Sequence, residues 1–206
     1  MKIYLVDNTI DGQGASPREL RDALLRIQAA EIVTEGYQQV SLERVRDLSP
    51  SHIVLSGQSH PWDLYSLESL AGVFDVIRNA SQPILGVCGG HQQMALAFGA
   101  PVGLIERLTP GEGYEGAKRV RGFFSVDIDG EGIFRGLPRK ITVWHSHCEE
   151  VKKLPPDFRR TACSESCSIQ AMAHESKPLF GVQFHPELFS EEHPEGREIL
   201  ARFFDL

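Results

Sequence analysis

Apolar and polar positions follow two rhythms along this chain. Ile3-Tyr-Leu-Val6 is a short unbroken apolar run closed by Asp7, the pattern of a strand buried on both faces. Ser16-Pro-Arg-Glu19 reads as a helix start, with Ser16 as N-cap, Pro17 as first helical residue and Glu19 reaching back in a capping box. Leu20, Ala23, Leu24 and Ile27 continue on one helical face. A second strand is predicted near Glu31–Thr34 and a third at His52–Leu55, which runs into the turn signal Ser56–Pro61. Helical spacing returns at Leu64, Leu67, Leu70, Val73, Phe74 and Ile77. Pro83–Val87 is another apolar strand, followed by a helix from His91 to Phe98 that Gly99 and Pro101 stop.

Strands alternating with helices through residue 100 predict an α/β fold with an open, mostly parallel central sheet flanked by helices. The second half changes character. Phe123–Ile128, Ile141–Val143, Ile169–Ala173 and Leu179–Phe184 are strand-like pieces between Gly, Pro and charged turns, which predict a smaller antiparallel section. Pro194–Phe204 reads as a closing helix. With no linker-like stretch and no internal repeat, residues 1–206 are expected to form a single domain.

Composition narrows the functional classes. Across 206 residues, 21 basic against 28 acidic side chains give a net charge of −7, without the basic footprint of nucleic-acid binding. No apolar run approaches the roughly 20 residues that span a bilayer, and the N-terminal apolar stretch is too short for a signal-peptide core. Four cysteines in a chain with no mark of secretion read as thiols in a cytoplasmic protein, one of them a candidate nucleophile.

That candidate is Cys88, in Pro83-Ile-Leu-Gly-Val-Cys-Gly-Gly-His-Gln-Gln-Met94. A buried strand ends, a cysteine stands among Gly86, Gly89 and Gly90, and a helix begins at once: the cysteine form of a nucleophile elbow. The turn lifts the sulfur to the carboxyl edge of the sheet, where open α/β folds hold ligands. It also places the sulfur at a helix N-terminus, which favours thiolate, and aims the Gly89 amide where an oxyanion forms. Tight strand–helix packing around a buried thiol accounts equally well for this segment alone. A nucleophile needs a base, and the base an orienter. Phe180-Gly-Val-Gln-Phe-His-Pro-Glu187 provides both: His185 follows an apolar strand, Pro186 biases it toward extended backbone, and in an extended segment Glu187 shares its face. A carboxylate there fixes the imidazole tautomer and stabilises the imidazolium. In isolation His-Pro-Glu reads as a loop histidine with a solvated glutamate; the two segments together favour a Cys–His–Glu site.

Gly86-Val-Cys-Gly-Gly-His-Gln92 and Gly181-Val-Gln-Phe-His-Pro-Glu187 resemble the two signatures of class I (triad) glutamine amidotransferases, at the family's separation. Within that family the chain is most similar to the glutaminase part of GMP synthetase, on Val143-Trp-His-Ser-His147 and Thr161-Ala-Cys-Ser-Glu-Ser-Cys167. The resemblance implies that Cys88 attacks the glutamine side-chain amide to give a γ-glutamyl thioester and ammonia, while His185 relays the proton and Glu187 orients His185. It also implies oxyanion donors at Gly57 and Gly89, and substrate held by Gln92 with the Ser146–His147 backbone. Ser56-Gly57-Gln58-Ser59 departs from the family's Ser-Gly-Gly-Pro, which implies a shifted oxyanion donor or a loop that rearranges on docking. Gly89 stands where a larger residue is common, which implies a looser elbow, and the loop Asn8–Ala15 departs as well.

No cofactor is implied: both the phosphate-binding G-x-x-x-x-G-K-[ST] and the dinucleotide G-x-G-x-x-G patterns are absent. A metal site from His145, His147, Cys148, Cys163 and Cys167 lacks paired ligand clusters and is not expected. Because no ATP-pyrophosphatase segment follows the glutaminase-like part, the expected partner is a separate ATP-dependent synthetase subunit. A free-standing γ-glutamyl amide hydrolase and a non-catalytic binding module of the same fold stay open as rivals.

Overall fold

The computed structural model of the chain describes residues 1–12 and 14–206; of the loop Asn8–Ala15, Gln13 therefore lies outside the described residues. Strand β1 (Lys2–Asp7) is covered on both faces, Ile3 and Leu5 lying in one apolar layer and Tyr4 and Val6 in the other. The same division runs through β3 (His52–Leu55) and β4 (Ile84–Val87), so unbroken apolar runs mark central strands with both faces covered. Helix α1 (Ala15–Ile27) packs Leu20 and Leu24 on the first layer; α2 (Leu42–Leu48), α3 (Leu67–Asn79) and α4 (Gly89–Ala97) cover the second. With β2 (Glu31–Gly36) at the edge, the first half is a doubly wound parallel unit.

The second half adds β5 (Val102–Leu104), β6 (Val120–Ile128), β7 (Lys140–His147), β8 (Glu149–Val151), β9 (Phe158–Cys163), β10 (Ala171–His174) and β11 (Leu179–Val182), closed by α5 (Glu195–Phe203). The main sheet runs β2-β1-β3-β4-β11-β10-β9-β6-β7, parallel from β2 to β11 and antiparallel beyond, while β5 and β8 form a separate ribbon. Strand β11, late in sequence, thus pairs in parallel with β4 and brings both signature segments to one sheet edge.

Two local expectations change, and two sets of elements carry no periodic pattern in the sequence. Ser16 is not the N-cap of α1: Gly14 precedes the helix without a side-chain cap, and the Ser16 hydroxyl accepts instead from the Gly57 amide. Leu64 lies in a 3₁₀ turn (Trp62–Leu64), and it and Leu67 are exposed at 62% and 78%, so the buried stripe of α3 starts at Leu70 and the helix is capped by Ser66. Helix α2 is one short amphipathic piece capped by Ser41, too brief to show a period. Strands β5, β8 and β9 carry no clean alternation; β9 includes adjacent Arg159 and Arg160.

Candidate active site

Cys88 stands between β4 and α4 with φ 51° and ψ −102°, a conformation that costs a non-glycine residue on the order of 1–3 kcal/mol and persists only where its surroundings enforce it. They do so through glycine contacts. A Cβ on Gly90 would lie 2.4 Å from the Leu55 carbonyl oxygen, and one on Gly86 2.5 Å from the Gly90 carbonyl oxygen. The Cys88 amide donates to the Val182 carbonyl at 2.8 Å, which locks the turn to β11. The sulfur approaches the Ser146 carbonyl at 3.9 Å and receives the Gln183 side-chain amide at 3.7 Å.

His185 follows β11, and its amide donates to the Trp144 carbonyl at 2.7 Å. Its Nδ1 lies 2.8 Å from Glu187 Oε1, with Glu187 almost fully buried. The pairing arises differently from the expectation: Pro186–Leu188 is a 3₁₀ turn, not an extended segment, and the turn folds Glu187 back onto the ring. A carboxylate accepts only, so Nδ1 carries the proton and Nε2 serves Cys88. Burial opposes charge on His185, yet the Glu187 carboxylate and the nearby Cys88 sulfur hold its pKa well above the ordinary value. The neighbouring histidines are the opposite. Burial, with charge on His147, drops His91 and His145 to about 3, and burial also lowers His147. One imidazolium therefore stands among neutral rings.

Facing this group is a side-chain network. Gln58 Nε2 donates to Gln92 Oε1 at 2.9 Å, Glu149 Oε2 at 3.3 Å and the Tyr114 hydroxyl at 3.4 Å. Tyr114 donates to Glu149 Oε2 at 3.0 Å. Gln92 is buried with both ends engaged: Oε1 also accepts from Trp62 Nε1 at 2.7 Å, and Nε2 donates to the Glu149 carbonyl and to Gln183 Oε1 at 2.9 and 3.0 Å. It is a hub of the wall, where the resemblance implied a group offered to substrate. Burial raises the Glu149 pKa, against the hydrogen bonds from Tyr114 and Gln58. His147 Nδ1 contacts the Glu149 carbonyl at 3.0 Å.

The implied oxyanion donors differ in state. The Gly89 amide opens α4, among the amides a helix leaves without an internal acceptor. The Gly57 amide donates to Ser16 Oγ at 3.1 Å. The elbow is not loosened by Gly89: a Cβ there would meet Gln58 Oε1 at 1.9 Å and the Gln58 amide nitrogen at 2.4 Å. Gln58 fills the room that Gly89 leaves.

Two cavities meet at the sulfur, sharing Gln58, Cys88, Arg121 and Ser146 as walls. The smaller, about 220 Å³, adds Gln92, Tyr114, Arg119, His147 and Glu149. The larger, about 670 Å³, adds His185, Glu187, Phe123, Trp144, Phe189 and the Ala15–Ser16 end of α1. Cys88, His185 and Glu187 thus come together, with Ser146 and His147 beside them. Tyr114 and Glu149 carry no motif that singles them out in sequence, and Gln183 stands inside the Gly181–Glu187 segment without a role read for it there. Only Gln183 leaves a signal there, a lone amide inside an apolar run. Among the described residues no three His, Cys, Asp or Glu side chains are grouped as metal ligands.

The family model for class-I glutamine amidotransferases matches residues 9–206. The glutamine-hydrolysing GMP synthase subunit of Archaeoglobus fulgidus is 35% identical over 207 residues, covering 100% of this chain and 98% of its own. That of Thermococcus kodakarensis is 40% identical over 166 residues, 80% of each chain. Among solved structures, a Thermoplasma acidophilum protein provisionally described as a GMP synthase subunit superposes with a TM-score of 0.80 at 33% identity, over 100% of this chain and 92% of that one.

Proposed function

The chain belongs to the class-I glutamine amidotransferase family, and from that premise we propose that it hydrolyses the side-chain amide of glutamine through a Cys88–His185–Glu187 triad. The observation that carries this reading is Cys88 on a positive-φ turn, sharing one cleft with the His185 imidazole, whose Nδ1 lies 2.8 Å from a buried carboxylate. Cys88 Sγ attacks the amide carbon, and the Gly89 amide receives the developing oxyanion. His185 passes the thiol proton to the departing nitrogen, ammonia leaves, and water then hydrolyses the γ-glutamyl thioester with His185 as base. The Gly57 amide joins as second oxyanion donor once Ser16 Oγ swings away.

The smaller cavity suits the amino-acid end of the substrate. Glu149 offers a carboxylate to the α-ammonium, Arg119 and Arg121 stand near for the α-carboxylate, and the Ser146–His147 backbone lines the stem. Gln92 holds this wall in shape through its four contacts. The ammonia is consumed by a separate ATP-dependent synthetase subunit. The GMP synthase relatives, themselves subunits, support a GMP-synthetase-like pairing of this kind. Release of glutamate and ammonia from glutamine tests the reading: the wild type is expected to be active and Cys88→Ala inactive, and equal release by both removes the triad.

A further inference from the structure

We propose that the site also hydrolyses γ-glutamyl amides whose nitrogen carries a bulky substituent, an activity that rests on the thiol mechanism above but uses a different part of the molecule. The smaller cavity, about 220 Å³, is lined by the polar groups that match an amino-acid zwitterion. Glu187 and His185, the proton donor to the departing nitrogen, line only the other cavity. Since Cys88 lies in the wall of both, a substrate whose carbonyl carbon sits at the sulfur has its α-carbon end in the smaller cavity and its amide nitrogen directed at the larger one.

That larger cavity, about 670 Å³, far exceeds what ammonia needs, since a water-sized molecule takes up about 30 Å³ of liquid. Its walls are also of the wrong kind for ammonia alone. Phe123 and Trp144 pack edge to face at 5.1 Å, and Phe189 lies under the Arg26 guanidinium at 5.0 Å. The result is an aromatic-lined cleft next to the leaving position, with Glu19 and Arg26 at its side. Apolar and aromatic walls with a few polar groups are the composition of small-molecule sites. Among the described residues nothing on this side selects for an unsubstituted nitrogen, so an aryl or alkyl amine fits where ammonia departs. The bonds balance as for glutamine. Cys88 Sγ bonds to the γ-carbon, the C–N bond breaks, and His185 gives its proton to the leaving amine. Water then cleaves the thioester, returning the thiol and γ-carboxylate.

The test uses the full chain with glutamine, L-γ-glutamyl-p-nitroanilide and N-γ-ethyl-L-glutamine under identical conditions, together with Cys88→Ala and Ala15→Trp. Ala15 is exposed at the start of α1 and lines only the larger cleft, so tryptophan there narrows the leaving-group side alone. The expected result is amine release from both substituted amides by the wild type, none by Cys88→Ala, and in Ala15→Trp about a tenfold fall in kcat/KM for the anilide relative to glutamine. Hydrolysis of glutamine without either substituted amide overturns the proposal and leaves the glutaminase reading standing. Hydrolysis of none of the three removes both. An unchanged anilide-to-glutamine ratio in a folded Ala15→Trp protein overturns the assignment of the larger cleft.

Discussion

On one side of the Cys88 sulfur, His185 and Glu187 are placed by main chain: the β4–α4 turn, the β11 end bonded to Trp144, and a single 3₁₀ turn. On the other side, Gln58, Gln92, Tyr114 and Glu149 come from segments far apart in sequence and are placed by one another's side chains. The first wall tolerates almost no change of backbone, because Gly86 and Gly90 leave no room for a Cβ. The second is a set of interchangeable hydrogen bonds in which one residue's size is matched to another's. Reaction geometry is thus bound to the fold, while recognition is written in side chains that can vary together.

The sharpest way to break this contrast is on the first wall. Glu187→Gln leaves the shape and removes the charge that holds His185 protonated. A fall in kcat of about a hundredfold or more is expected, since the amide can present the wrong tautomer to the ring. With the carboxylate gone, burial dominates and the His185 pKa drops, so the alkaline limb of the kcat profile moves to lower pH. The stability sign follows the same shift. A histidine raised in the folded state contributes fully below about pH 6.5 and loses that contribution as pH climbs through its folded value. The stability deficit of Glu187→Gln is therefore largest in acid and shrinks at alkaline pH, which urea titrations at several pH values check.

On the second wall, size matching predicts a rescue. Gly89→Ala drives a methyl into Gln58, and an overpacking penalty of about 1–3 kcal/mol corresponds to roughly 10- to 100-fold in kcat/KM. Gln58→Gly in the same chain removes the side-chain clash but leaves the Gln58 backbone nitrogen 2.4 Å from the methyl, so it is expected to restore part of that loss, although Gln58→Gly alone lowers activity by releasing Gln92 and Glu149. Strict additivity of the two changes would refute the match. A smaller effect is expected from Glu149→Gln: loss of one charge-assisted contact to the substrate ammonium costs about 1.5–3 kcal/mol, read as a rise in KM of about tenfold or more with kcat nearly unchanged. A dominant fall in kcat would move Glu149 from recognition to reaction.

The mildest test concerns the neutral rings behind both walls. With His91 and His145 held near 3 in the folded protein, their neutral burial stabilises above about pH 6.5 and is lost as pH falls toward 3. Unfolding free energy is expected to decline by roughly 1.4 kcal/mol per pH unit for each of them, measured by denaturant midpoints between pH 7 and 4.5, and to decline less steeply in His91→Gln.

The same contrast decides what is legible in the sequence. Cys88, His185 and Glu187 sit where apolar runs end, so strand pattern and glycine spacing are enough to locate them, and the parallel order of β1, β3 and β4 follows from unbroken apolar runs. Gln58 and Glu149, 91 positions apart, meet only once the antiparallel half has folded, and Tyr114 arrives on a loop with no period. Ser16 misleads because its hydroxyl has two acceptable uses, a helix cap or the Gly57 amide, and only the tertiary fold decides between them. The individual antiparallel strands blur for a related reason: adjacent charges such as half-buried Arg159 and exposed Arg160 break the alternation there.

The central claim is covalent chemistry at one sulfur. Acid-quenching the protein during turnover of isotopically labelled glutamine, followed by peptide mass mapping, reads it directly. The predicted result is a labelled γ-glutamyl group on the Cys88 peptide of the wild type and none on Cys88→Ala. Glutamate release by the wild type with no label on that peptide, or release undiminished in Cys88→Ala, would contradict it.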